Sequence, residues 1–482
     1  MSSALPPAGT PGRARHLGSA LILLAFAQLI ISVDYNIVFI AMPEIGRKLN
    51  FSSQTLQWVI SGYAVIFGGF LLLGGRASDL LGRRRMFVLG LLIYAAASLA
   101  GGLATEPVVL VTARGLQGVG GALLFPATLS LVNTLFAEGR ERNRALAVWS
   151  AAGAGGLILG SLLGGLLTEL FGWRAVFYVN VPLAVVAALL AFPLISPDAA
   201  LDRGRHFDLP GALTATLGVT LLVFALVQGP EFGWLSAPIL SSVLVAAVLI
   251  ASFVVIEHRS VDPLLPLRLF GNRSLSTSVM ITFLFTATFG SLLYFLALFF
   301  QNVRGYSPME SGVAFLVPMA VVLSGNAIGG KLLTSFGVRV TLLISLMLLA
   351  IGTIILALEV KPTGSYLTML PGLVIFAIGG GITFPAMFAA AATGVEPREQ
   401  GIASAIASTG QQIGAAIGLA ILVVIANAGT EGAAGDALRT ILAENLRTTM
   451  FVAAAGVVAM VLLALNFPRA TKSVEEPHSV VS

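Results

Sequence analysis

No formal charge falls between Leu17 and Val33, and comparable apolar runs recur to the end of the chain. A helix needs about 20 mostly apolar residues to cross a bilayer. Fourteen stretches meet that requirement. Six lie near 17–43, 55–75, 86–104, 108–135, 145–168 and 173–196. Two follow near 209–228 and 235–256. The last six lie near 274–301, 308–330, 338–358, 366–392, 400–427 and 448–467. The residue balance agrees: 57% of residues are hydrophobic and 10% are charged, against about 25% charged in soluble proteins. The chain therefore reads as an all-α integral membrane protein. Its first apolar run, 17–42, exceeds the roughly 7–15 residues of a signal-peptide core and lacks a small-residue cleavage site, so it reads as a span. The polar, Pro-rich residues before it read as a disordered tail.

Charge placement orients the spans. With an even number of crossings both termini share a side. Placing that side inside puts most of the 27 Lys and Arg residues there, among them Arg76, Arg83, Arg84, Arg85, Arg142 and Arg144. That is the bias of the positive-inside rule. The sequence then predicts cytoplasmic tails at 1–16 and 468–482.

The two ends of the chain resemble each other at a nearly constant offset. GRASDLLGRR (75–84) aligns with GKLLTSFGVR (330–339), GGALLFPA (120–127) with GGGITFPA (379–386), and RNRALAVWSA (142–151) with REQGIASAIA (398–407). Three matches in one order predict two parallel six-helix bundles, 17–196 and 272–467. Two extra spans are inserted in the linker 197–271. Parallel repeats about an axis along the membrane normal are a transporter architecture, with the substrate site at the interface near mid-depth.

One acid breaks the apolar pattern. Asp34 sits in SVDYNIVFIAMP, about 9 residues before Pro43, or roughly 14 Å below the outer end of its helix. An acid there costs roughly 2.5–3.5 kcal/mol on insertion scales. Arg114 lies about 7 residues past Pro107, roughly 10 Å deep, so the two charges fall at similar depths. Intramembrane ionisable residues mark function by default, here proton binding at Asp34 tuned by Arg114. The structural alternatives are a fixed ion pair, or Asp34 bonded to a neighbour such as Asn36. Gln117, Gln301, Gln411, Gln412, Asn180 and Asn326 are further polar groups at membrane depth, able to bond across helices. Tyr35, Trp58, Tyr63, Trp149, Phe285, Phe289 and Tyr294, with Gln301 and Gln411, are candidates to line a pocket for a flat, lipophilic substrate; packing or lipid contact is the plainer role.

Three motifs carry a family resemblance. The loop after the second span reads GGRASDLLGRRRMF, matching G-x-L-a-D-r-x-G-r-r at Gly75, Asp79, Gly82, Arg83 and Arg84, with Ala77 in place of the Leu. The fourth span opens RGLQGVGGA, matching R-x-x-Q-G-x-G-a at Arg114, Gln117, Gly118 and Gly120. The first span carries VDYNIVFIAMP, similar to D-x-t-i-v-n-v-A-L-P with Asp34 in the acid position. The sequence thus resembles the major facilitator superfamily, and within it the fourteen-spanner drug:proton antiporters. WRAVFYVNVP (173–182) is usual in that branch. The fifth span departs from its G-x-x-x-G-P-x-x-G-G pattern. Gly156, Gly160, Gly164 and Gly165 stand, a row that permits close helix contact, but Ser161 replaces the Pro.

The resemblance implies a major-facilitator fold of fourteen transmembrane helices, multi-pass in the bacterial cytoplasmic membrane, monomeric and surrounded by lipid. It implies export of lipophilic or cationic drugs against protons. It also implies an inner gate at Asp79 and a loop arginine, made asymmetric by Thr334 in the second copy. Gly75 and Gly82 suit a tight turn with close backbone approach. A lipid or metabolite exporter, an uptake symporter and a non-transporting sensor are alternatives on the same scaffold.

Other chemistry is excluded by residue type. There is no Cys, hence no disulfide or thiolate metal site. His16, His206, His258 and His478 fall in tails or loops and form no cluster. No G-x-x-x-x-G-K-[ST] loop exists to cradle ATP phosphates. The net charge of +5 is not spread over a soluble face, so nucleic acid is not a partner. No cofactor is expected, and the protein reads as a carrier rather than an enzyme.

Overall fold

The computed structural model describes residues 11–52, 54–136, 140–198, 208–260, 263, 265–395, 400–430 and 435–467. Every regular element among them is helical. The N-terminal set is α1 (Pro11–Lys48), α2 (Trp58–Leu81), α3 (Arg83–Gly102), α4 (Pro107–Leu135), α5 (Arg140–Phe171), α6 (Ala175–Tyr178) and α7 (Asn180–Leu194). Next come α8 (Leu209–Phe232) and α9 (Ala237–Arg259). The C-terminal set is α10 (Arg273–Phe285), α11 (Ser291–Leu298), α12 (Pro308–Glu359), α13 (Tyr366–Ala392), α14 (Gln400–Ala426) and α15 (Gly435–Leu465).

Twelve of these helical segments are long and apolar enough to cross a membrane, against fourteen expected, and two places account for the difference. First, the 52 residues of α12 form two arms that meet at a kink, each long enough at 1.5 Å per residue to cross a hydrocarbon core of about 30 Å. It contains both expected spans 308–330 and 338–358. Gly337, at φ 76° and ψ 173°, breaks it between them. Second, the apolar stretch at the start of α2 extends over Thr55–Leu71 among the described residues, while the helix itself continues to Leu81. The first helix also starts earlier than expected, at Pro11 rather than Leu17. Residues 1–10 and 468–482, parts of the expected tails, lie outside the described residues.

The internal repeat has a structural counterpart at its glycines. Gly82 (φ 104°) separates α2 from α3, and its repeat partner Gly337 (φ 76°) separates the two arms of α12. Both occupy backbone that residues with a Cβ rarely adopt. Gly120 and Gly379 also correspond. A Cβ at Gly120 would come within 2.9 Å of Tyr94 N on α3. One at Gly379 would come within 2.5 Å of Leu349 N on the second arm of α12.

The main contacts between the two sets run along two lines, α5 on α12 and α2 on α14, and α1 also touches α11. The inserted α8 and α9 pack together, and α8 lies against both α2 and α14. Two adjacent glycines on α2 permit this. A Cβ on Gly68 would meet Gln412 of α14 at 2.6 Å, and one on Gly69 would meet Thr216 of α8 at 2.1 Å.

Candidate functional site

Asp34 and Arg114 meet. Arg114 Nη1 donates to Asp34 Oδ2 at 2.7 Å, with the two side chains 2% and 0% exposed. Asp34 Oδ1 accepts from Gln117 Nε2 at 2.9 Å and from Asn180 Nδ2 at 2.7 Å. The carboxylate thus takes three hydrogen bonds and gives none, the arrangement suited to an ionised acid. The donors are themselves held. Arg114 Nη1 also donates to Gln117 Oε1 at 2.6 Å, and Arg114 Nε to the Val59 carbonyl at 2.8 Å. Gln117 Nε2 also donates to Ser98 Oγ at 2.9 Å. The guanidinium carbon lies 4.5 Å from the centre of the Tyr63 ring, within cation–π range.

Sequence spacing explains how the parts converge. Arg114 and Gln117 are three residues apart and therefore share one face of α4. Gly118 and Gly120 flank that face and let α4 close on its neighbours. A Cβ on Gly118 would stand 2.7 Å from the Tyr63 carbonyl of α2, and one on Gly120 3.0 Å from the Gly90 carbonyl of α3. The network draws on α1, α2, α3, α4 and α7, all from the N-terminal set. Asp34 is not bonded to Asn36. Asn36 faces away and donates to the Leu157 carbonyl at 2.6 Å and to Ser161 Oγ at 2.5 Å. The serine that departs from the family pattern is therefore the partner of a buried amide, tying α1 to α5.

The fifth-span glycines line the same contact. A Cβ would come within 2.7 Å of Ser32 at Gly156, 2.7 Å of the Val33 carbonyl at Gly160, and 3.0 Å of the Ile37 carbonyl at Gly164. Gly165 turns the other way, to within 2.8 Å of the Pro308 carbonyl of α12.

The loop motif fares differently. Gly82 is a turn, as its sequence indicates. Gly75 is not: it lies inside α2, and a Cβ there would meet nothing nearer than 3.8 Å. Its neighbour Gly74 makes the close approach, 2.0 Å from the Ala122 carbonyl. A one-residue shift moves a side chain about 100° round a helix, which the motif alone does not resolve. The Asp79 side chain lies outside the described residues. The Arg84 and Arg85 backbone amides donate to Asp198 at 2.9 and 3.1 Å, and the Arg84 guanidinium lies 5.0 Å from the Phe192 ring. Asp198, which sequence reasoning passed over, thus caps α3 from the segment after α7.

The pocket candidates do not form one cluster. Tyr63 stacks on Phe67 beside the charged pair. Trp149 is buried 5.5 Å from Phe125, and Trp58 packs with the Val65 and Ala416 cluster. Half-buried Tyr35 meets Phe39 edge-on at 5.4 Å. In the C-terminal set, Phe285, Phe289 and Phe376 stack in series at 4.8 and 4.7 Å. Tyr294 is buried against Phe295. Gln301 Nε2 donates to the Ile40 carbonyl at 2.9 Å, bridging the two sets. The Gln411 carbonyl accepts from Thr286 Oγ1 at 2.5 Å. Thr286–Gly290 and Phe299–Val303 are π-helical, a distortion frequent at functional sites. Of the network, Asn180 was visible in the sequence only as one polar residue among several. Ser98 and the Val59 carbonyl carry no sequence signal. Among the described residues no cluster of His, Cys, Asp and Glu is suited to a metal.

The Major Facilitator Superfamily model matches residues 24–419. Puromycin resistance protein pur8 of Streptomyces alboniger is 38% identical over 420 residues, 86% of this chain and 83% of that one. Cephamycin export protein CmcT of Amycolatopsis lactamdurans is 35% identical, covering 93% of both. Multidrug resistance protein Stp of Mycobacterium tuberculosis is 35% identical, covering 83% of this chain and 74% of its own. Among solved structures, an inward-facing bacterial homolog of the human lysosomal transporter Spinster superposes with a TM-score of 0.67 at 18% identity, covering 95% and 98% of the two chains. The xylose transporter XylE from E. coli, partially occluded and inward-open, gives 0.65 at 13% identity, covering 95% and 99%.

Proposed function

We propose that this protein, which belongs to the Major Facilitator Superfamily, is an exporter that expels lipophilic or cationic antibiotics in exchange for protons. It is a multi-pass secondary transporter rather than an enzyme, and its relatives are antibiotic-resistance and export proteins of bacteria. On this reading it sits as a monomer among the lipids of the cytoplasmic membrane, with both termini inside. Two six-helix bundles, 17–196 and 272–467, rock about a site between them, and the insert 197–271 rides on the α2/α14 seam.

The observation that carries the proton coupling is the sealed carboxylate of Asp34, held in mid-span by Arg114, Gln117 and Asn180. Adding a proton removes the charge that holds Arg114 and one of the acceptor positions that hold the two amides. Helices α1, α4 and α7 then lose their common anchor, and the bundle becomes free to rearrange. Asn180 Oδ1 is buried without a partner among the described residues, which leaves room in the hydrogen bonding for a water molecule to deliver the proton. The acidic outer compartment loads the proton and the inner compartment takes it up. Drug loading inside accompanies that release, and the loop around Asp79 closes the inner gate on the return. Because the network lies wholly within the N-terminal helices, the coupling acts through helix rearrangement and not through an ion pair between bundles.

The test uses proteoliposomes under an imposed ΔpH, with ethidium or puromycin as the exported compound. The Asp34→Asn protein still binds the compound but shows no more ΔpH-driven flux than empty liposomes. Unchanged flux would refute the coupling role.

A further inference from the structure

A second carboxylate joins the two bundles at the end of the seam where α5 finishes and α12 begins. Glu169 stands in the last turn of α5, exposed to solvent. Its Oε2 accepts from Ser307 Oγ at 2.8 Å and from the Met309 amide at 2.9 Å. Both donors belong to the start of α12, in the other bundle.

The first turn of α12 satisfies its remaining donors from its own sequence. Ser307 Oγ accepts from the Glu310 amide at 3.2 Å, and Glu310 Oε2 accepts from the Ser307 amide at 2.8 Å, a reciprocal capping box. Pro308, the first helical residue, has no N–H to satisfy. The Met309 amide is the donor that this local chemistry leaves over, and the acceptor that meets it is on α5. The charge is also favourably placed, because a carboxylate near a helix N-terminus faces the positive end of the helix dipole. Beneath it the two helices touch backbone to backbone: a Cβ on Gly312 would lie 2.7 Å from the Ser161 carbonyl. The Gln301–Ile40 hydrogen bond joins α1 to the C-terminal set on the same side of the membrane.

We propose that Glu169 is the latch of this end of the seam. It holds α12 against α5 while the transporter is open to the opposite side, and it lets go each time the outer end opens. The proposal rests on the alternating-access reading above, but not on Asp34. Because Glu169 is exposed, water can replace it on both donors, so the latch biases an equilibrium rather than locking it. A charge at a helix terminus of this kind shifts a two-state population about two- to fivefold.

The absence of Cys makes the test direct. Leu103, after α3, and Leu367, at the start of α13, are 62% and 70% exposed at the same end. Leu103→Cys and Leu367→Cys carry spin labels, and pulsed dipolar spectroscopy in nanodiscs reads the distance between them. Glu169→Ala raises the population at long distance about two- to fivefold. Glu169→Lys, which sets a cation against the positive end of α12, raises it further. Distance distributions that superimpose on wild type for both variants would overturn the latch. Asp34→Asn abolishes ΔpH-driven flux yet leaves the Glu169→Ala shift in place, so failure of the coupling and failure of the latch are separately visible.

Discussion

The N-terminal and C-terminal helices share a scaffold and differ in chemistry. Gly82 and Gly337 make the same positive-φ break, and Gly120 and Gly379 make the same close helix contact. In the side chains buried between the helices the resemblance ends. The N-terminal set buries an ion pair within a hydrogen-bonded network of amides and a serine. The corresponding interior of the C-terminal set offers hydroxyls such as Thr286 and a stack of three phenylalanines. Its first helix is interrupted by one π-helical turn and ends in another, whereas α1 is continuous. Repeated small residues preserve packing in both sets, because backbone approach depends only on the missing Cβ. The charge has no such twin. On the proposed reading, one bundle holds the proton while the more deformable one adapts to the drug.

The sharpest way to break that division is at Arg114. Arg114→Ala leaves Asp34 buried without its cation, and removing one partner of a buried pair costs about 3–5 kcal/mol. Thermal unfolding in detergent should show a large drop, and adding Asp34→Asn should recover part of it. Strictly additive losses would mean the two residues do not act as a pair.

Phe289 tests the other side. Phe289→Ala opens a gap in the stack and costs about 3 kcal/mol. It should change the relative resistance of a pump-deficient host to different drugs while protons per drug stay constant. A changed proton ratio would place coupling in both bundles.

The shared scaffold can be probed at matched glycines. Gly120→Val and Gly379→Val each overpack a helix contact, at about 1–3 kcal/mol. Similar losses of melting temperature support equivalent packing, and a loss at only one of them removes the parallel. The smallest effect is at the family departure. Ser161→Ala deletes one hydroxyl acceptor of Asn36, worth about 0.5–1.5 kcal/mol. Asn36→Ala/Ser161→Ala should cost less than the sum of the single changes, because the remaining partner has nothing left to lose.

Much of this was legible in the sequence. Apolar run length announced the membrane spans, and the repeat announced the paired glycines. Depth counting from Pro43 and Pro107 placed Asp34 level with Arg114, and the structure joins them. The close approach expected at Gly75 falls at Gly74, because a motif gives residue order but not the facing of a helix. The expected spans 308–330 and 338–358 both lie within α12, as two arms that meet at the kink of Gly337.

The sequence by itself determined the solvent of this protein, the order of its helices, and the position of each polar group along its helix. These follow from local hydropathy and a fixed rise per residue. Only the tertiary structure decided partners: that Asp34 turns to Asn180 rather than Asn36, that Ser161 answers Asn36, and that Glu169 reaches Met309 at the start of α12. A one-dimensional pattern fixes height along a helix, but which neighbour a side chain meets depends on how helices distant in the chain are set side by side.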